Sequence, residues 1–210
     1  MINVLDLGRD VCALEVDMWD ARLPEDFSTT LLSMLFAMLR EKGSRATVLN
    51  LQVMLPDGPG SLKAVFPMSD ETEVWMCRDL WSIWDGGRGA TEEDKNLFRQ
   101  KKPDVWCEDE GHILFIENKT GGGRDRENQE RLYLRFLREK FHDKKKGFFY
   151  AIPEKWNVQA KGEWQDFIAE RDESVVRGLL RWDSTLEDLL VRTFHVPKWF
   201  HNKLPSRMGA

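Results

Sequence analysis

The chain has 210 residues, 32% of them charged and 41% apolar, with a formal net charge of −5. That is a globular balance, long enough to bury a core and too acidic to coat nucleic acid by bulk charge, which still leaves room for a local basic cleft. Three cysteines with no C-x-x-C pair exclude a four-cysteine iron–sulfur cluster within the chain and argue against a disulfide framework or a zinc ribbon.

The opening residues lack a basic stretch followed by an apolar one, so no signal peptide is expected. The longest apolar run, LLSMLFAML at 31–39, is too short to span a bilayer. The expectation is a cytoplasmic protein with no membrane partner. PEDFSTTLLSMLFAMLREKG reads as a helix, with acidic and hydroxyl start signals and a stop at Gly43. ATVLNLQVML (46–55) reads as a strand, PDGPG (56–60) as a turn, and SLKAVF as a returning strand. Residues 69–100 hold three tryptophans, a Gly-Gly-Arg-Gly break and a polar helix-like piece, and are expected to form an insertion or mobile loop.

PDVWC and HILFIENK then form a hairpin across the acidic turn EDEG. The helix RDRENQERLYLRFLREKFHDKKKG follows, then the buried strand GFFYAIP. Beyond it, EWQDFIAERDESVV and STLEDLLVRTF read as two helical pieces. The order helix, strand, strand, strand, helix, strand predicts an α/β fold with helices packed on a sheet.

The hairpin carries the chemistry. Its apolar run Ile113-Leu114-Phe115-Ile116 ends directly in Glu117-Asn118-Lys119, and Asp104 enters on the neighbouring strand. Buried charges need partners, because lost hydration costs several kcal/mol per ion. Alternate residues of a strand share a face, so Glu117 and Lys119 point the same way and Asp104 can meet Glu117 across the pair. Two carboxylates and the Asn118 carbonyl make a hard oxygen site that suits Mg²⁺ or Mn²⁺. The bland alternative is an exposed strand end with a surface ion pair.

Pro103-Asp104, a hairpin, then Glu117-Asn118-Lys119 resembles the PD-(D/E)xK superfamily of restriction-endonuclease-like phosphodiesterases. Gln129 and Tyr133, four apart on the next helix, resemble the Q-x-x-x-Y helix of RecB-type and lambda-exonuclease-like members. Glu25-Asp26-Phe27-Ser28-Thr29-Thr30-Leu31-Leu32 is similar to the E-N-x-x-T-x-x-L-L opening of one microbial branch. The resemblance implies a restriction-endonuclease-like αβββαβ core over about 24–153. A central mixed sheet would be flanked by helices, with an insertion at about 56–100 and a helical C-terminal extension at about 154–210, all in one domain.

It also implies that Asp104, Glu117 and the Asn118 backbone carbonyl bind the metal, with Glu25 as a further ligand. Lys119 would position the attacking water, and Gln129 and Tyr133 would orient the metal site or the scissile phosphate. The implied activity is Mg-dependent hydrolysis of phosphodiester bonds, in DNA rather than RNA. Homo-oligomer formation stays open.

Arg124, Arg131 and Arg138, seven apart, with Arg135 adjoining, draw a basic stripe able to track a phosphate backbone. The alternative is a solvated face paired with the acids of the same helix. Trp75, Trp81 and Trp84 could stack on unpaired bases, although such residues more often belong to a core. Two other readings remain open: a catalytically silent nuclease-fold binding or assembly subunit, and a protein-interaction factor.

Overall fold

The structure, a computed structural model, describes residues 24–37, 51–67, 71–84, 91–119, 127–153, 161–170 and 172–182. The described residues form an α/β fold. Helix α1 is Pro24–Ala37; strands β1 (Gln52–Leu55) and β2 (Gly58–Ser61) form a hairpin that a short helix α2 (Leu62–Val65) closes. Strand β3 (Glu73–Met76), helices α3 (Trp81–Trp84) and α4 (Glu92–Phe98), and strands β4 (Val105–Glu108) and β5 (His112–Asn118) follow. Then come α5 (Glu127–Lys140), β6 (Lys145–Pro153), α6 (Lys161–Ala169) and β7 (Val175–Trp182).

The strands make one seven-stranded mixed sheet in the order β2-β1-β7-β6-β5-β4-β3. Strands β3, β4 and β5 form an antiparallel meander, and β5, β6 and β7 run parallel, joined through α5 and α6. Parallel neighbours require such crossovers, and the inner strands are accordingly apolar on both faces. One face packs Ile113, Phe115, Phe148 and Tyr150 against Tyr133, Leu134, Phe136 and Leu137 of α5 and Trp164 and Phe167 of α6. On the other, Phe66 meets Phe149 edge to face. Gly147 permits this approach, since a Cβ there would lie 2.4 Å from the Phe66 ring.

Three sequence expectations change. SLKAVF is not the returning strand: Gly58, at φ +115°, turns the chain early, and Ser61 caps α2 by accepting from the Ala64 N–H. The first strand of the meander is not the 46–55 segment, whose described part pairs with β7 on the far side of the sheet. It is β3, from the stretch expected to be an insertion or mobile loop, fixed by pairs such as Trp75 opposite Trp106. The C-terminal extension is not wholly helical either. Val175-Val176, the end of the expected helix EWQDFIAERDESVV, opens β7, which is inserted between β6 and β1. There Gly178 faces Phe149, whose ring leaves no room for a Cβ. The segment STLEDLLVRTF lies outside the described residues.

Among the described residues, no helix is long and apolar enough to cross a membrane.

Candidate active site

The ends of β3 and β5 and the start of β4 lie side by side at one end of the strands. Asp104 and Glu117 are opposite one another there, one step beyond the Val105–Ile116 pair. Toward β5, Asp104 bonds through its side chain rather than its backbone. Its Oδ2 accepts the Asn118 N–H at 2.7 Å, and its own carbonyl accepts the Cys77 N–H at 3.1 Å. A strand residue presents its N–H and C=O on the same edge, so the Asn118 carbonyl leaves β5 on the Asp104 side.

Glu117 is only 4% exposed and Lys119 only 6%. Glu117 Oε1 accepts from Lys119 Nζ at 3.1 Å and from Gln129 Nε2 at 2.9 Å. Gln129 Nε2 also donates to the Tyr133 hydroxyl at 2.6 Å, which commits both amide hydrogens. The amide orientation follows from chemistry, because a carboxylate only accepts and needs the NH₂ group facing it. Gln129 therefore fixes the rotamer of Glu117, while Tyr133 keeps its own hydrogen to donate.

Asn118 is fully buried on the opposite face of β5, where its amide donates to Ser28 Oγ at 2.5 Å and Thr29 Oγ1 at 3.1 Å. This locks α1 onto the strand. Glu25 lies on α1 about one turn before those hydroxyls; its side chain lies outside the described residues.

Burial, and after it the neighbouring Glu117 carboxylate, pushes the Tyr133 phenol well above its ordinary pKa of 10.0, and Asp104 adds to the effect. Tyr133 is thus a neutral hydrogen-bond donor throughout the working range. The unfolded chain loses this proton near pH 10 and the folded chain holds it, so the stabilisation is full below pH ~10 and declines as pH rises beyond it. Spectrophotometric titration of Tyr133→Phe against wild type should show no native phenolate signal from Tyr133 at pH 10–11. Its signal is expected only with alkaline unfolding.

The sequence expectations thus divide. Asp104, Glu117, Asn118, Lys119, Gln129 and Tyr133 come together. Arg124 lies outside the described residues. Arg131, Arg135 and Arg138 are exposed on α5, but Arg135 binds Glu139 and Asp94, and Arg138 binds Asp172. The basic stripe is therefore engaged in part, by acids of other elements as well as its own helix. Arg138 also lies about 13 Å along the helix axis from Gln129. The tryptophans pack on the core: Trp84 lies 4.7 Å from Phe98 between ring centroids, Trp75 6.3 Å from Trp106, and Trp81 also rests against the core.

Sequence reasoning missed a second buried polar cluster beside the first. Glu130, next to Gln129 on α5, accepts from the Tyr150 hydroxyl and from Arg177 Nη1, each at 3.3 Å. Tyr150 is the β6 partner of Glu117. Successive residues of α5 therefore grip adjacent strands, Gln129 holding β5 and Glu130 holding β6 and β7. The signal was an arginine inside the apolar run VVRGLL, a charge that demands a buried partner.

The donor set fits a hard cation that keeps part of its water shell. Mg²⁺ takes one or two protein carboxylates, with waters and substrate phosphates completing its coordination. Asp104, Glu117 and the Asn118 carbonyl are such a set. Among the described residues there is no group of three or more His, Cys, Asp or Glu able to hold a metal. Cys107 offers no alternative nucleophile, since burial pushes its thiol pKa far up.

No family model matches this sequence, no curated protein matches it, and no solved structure matches its fold.

Proposed function

We propose that the chain is a metal-dependent phosphodiester hydrolase of the PD-(D/E)xK type, acting on DNA. The observation that carries this reading is the convergence of Asp104, Glu117, Lys119, Gln129 and Tyr133 at one strand end. The order α1, β3-β4-β5 meander, α5, parallel β6 supports a restriction-endonuclease-like core, with β7 and the β1–β2 hairpin widening its sheet.

Asp104, Glu117 and the Asn118 carbonyl would hold Mg²⁺ or Mn²⁺, with Glu25 as a further ligand. When bound, the ion supplies Lewis acidity toward a phosphoryl oxygen and lowers the pKa of a coordinated water. Lys119 Nζ, fixed by Glu117 Oε1, orients the attacking water and stabilises the negative charge that develops on the phosphoryl oxygens. Gln129 keeps Glu117 in place, and Tyr133 donates toward the site as a neutral phenol.

The test is cleavage of linear and circular, single- and double-stranded DNA in Mg²⁺, Mn²⁺ or EDTA. Cutting in Mg²⁺ or Mn²⁺ that EDTA abolishes is the expected result, and loss of circles would mark an endonuclease. A metal bound at 100 times its dissociation constant should also stabilise the fold by about 2.7 kcal/mol, read as a rise in melting temperature. Silence on every DNA substrate, with no thermal shift in either metal, would overturn the proposal.

A further inference from the structure

We propose that Arg99, Lys101 and Lys102, the segment leading into Asp104, form the surface that receives the phosphate backbone of the DNA substrate. This inference rests on the phosphodiesterase reading above. Most described cations have a protein partner. Arg78 approaches Glu108, Lys144 binds Glu108, Arg135 and Arg138 bind the acids named above, and Arg177 binds Glu130 and Glu170. Among the described residues, Arg99, Lys101 and Lys102 form no ion pair with an acid. Arg99 and Lys102 are exposed and Lys101 is half-buried.

Chain geometry places them beside the site. Only Pro103 separates Lys102 from Asp104, so their Cα atoms lie within about 7 Å, and Arg99 lies within about 18 Å of Asp104. The segment is also held at both ends. Phe98 and Pro103 are buried, the Lys101 N–H donates to the Phe98 carbonyl at 3.1 Å, and the Lys101 carbonyl accepts from the Leu80 N–H at 2.9 Å. Gln100 takes a left-handed conformation at φ +63°, an uncommon one for a residue other than glycine. Three positive charges therefore lie on one short segment within reach of the carboxylates, on backbone tied down by these contacts. Uncompensated cations beside a hydrolytic centre suit a polyanion, whose phosphates they neutralise with release of condensed counterions.

The experiment follows binding of a fluorescently labelled 20-base-pair DNA duplex by anisotropy over a range of salt, in EDTA so that cutting does not compete. Each phosphate contact contributes about 0.9 to the slope of log K against log salt. Replacing all three with glutamine should flatten that slope by about 2–3 units. R99Q/K102Q, which changes only the exposed pair, should flatten it by about 2 units. R135Q/R138Q should leave it within about 0.5 unit of wild type, because the charges of those arginines are offset locally by Asp94, Glu139 and Asp172. An unchanged slope in the triple variant of a wild type that cuts DNA would overturn this inference alone. A wild type that neither binds nor cuts would remove the phosphodiesterase reading and this inference with it.

Discussion

Lys119→Met should lower phosphodiester cleavage by about 10²–10³-fold and melt at a lower temperature than wild type. The first effect follows from the role proposed for the ammonium, since removing one preorganised donor from a developing oxyanion costs about that factor. The second follows from burial. Glu117 and Lys119 form an ion pair at 3.1 Å with side chains only 5% and 8% exposed. Taking away one member leaves the other charge without its counter-ion in a desolvated site, which costs about 3–5 kcal/mol. In a domain of this size that corresponds to about 6–20 °C in melting temperature. Asp104→Asn separates the two effects. Its amide oxygen can still accept from the Asn118 N–H, so the hairpin end survives while the negative charge is lost. Cleavage should fall comparably, with a melting temperature close to wild type. A folded Lys119→Met that cuts DNA at the wild-type rate would remove Lys119 from the chemistry.

This site was legible in the sequence because each of its relations is local. Glu117 and Lys119 are two apart on a strand, and Asp104 is joined to Glu117 by one short hairpin. Gln129 and Tyr133 are one helical turn apart. Each spacing is fixed by the geometry of a single element or by its immediate pairing.

What the sequence hid is non-local. Strand β3 is four residues long, too short for a periodic signal, and owes its existence to β4. The Val175-Val176 end of an expected helix became strand because β7 finds partners on both sides, β6 and β1, in the middle of the sheet. The hydroxyls that hold Asn118 lie about 90 residues earlier in the chain. The arginines of α5 illustrate the same limit. Their spacing announces a basic stripe, but Asp94 and Asp172, the acids that engage two of them, come from α4 and from the turn before β7.

Arg177→Met should destabilise the protein by about 3–5 kcal/mol, an effect of the same size as that at Lys119 but arising away from the chemistry. Glu130 is 2% exposed and accepts from Arg177 and Tyr150, which come from β7 and β6. Arg177 further donates to the Phe167 carbonyl and to Glu170, tying α6 to the same point. With methionine at 177, the buried Glu130 carboxylate stays beside Tyr150 and loses the Arg177 guanidinium. Thermal unfolding at pH 7 should register a loss of about 6–20 °C. Glu130→Gln/Arg177→Met should recover most of it, because removing both charges also removes the desolvation cost that their attraction offset. Equal destabilisation in the single and double variants would mean that Arg177 acts through packing against Phe167, whose ring centroid lies 5.5 Å from the guanidinium, rather than through its charge. The pair also bears on the site. Glu130 and Gln129 are consecutive on α5, so loosening the grip on β6 and β7 should displace Gln129 from Glu117 and slow cleavage even at temperatures where Arg177→Met remains folded.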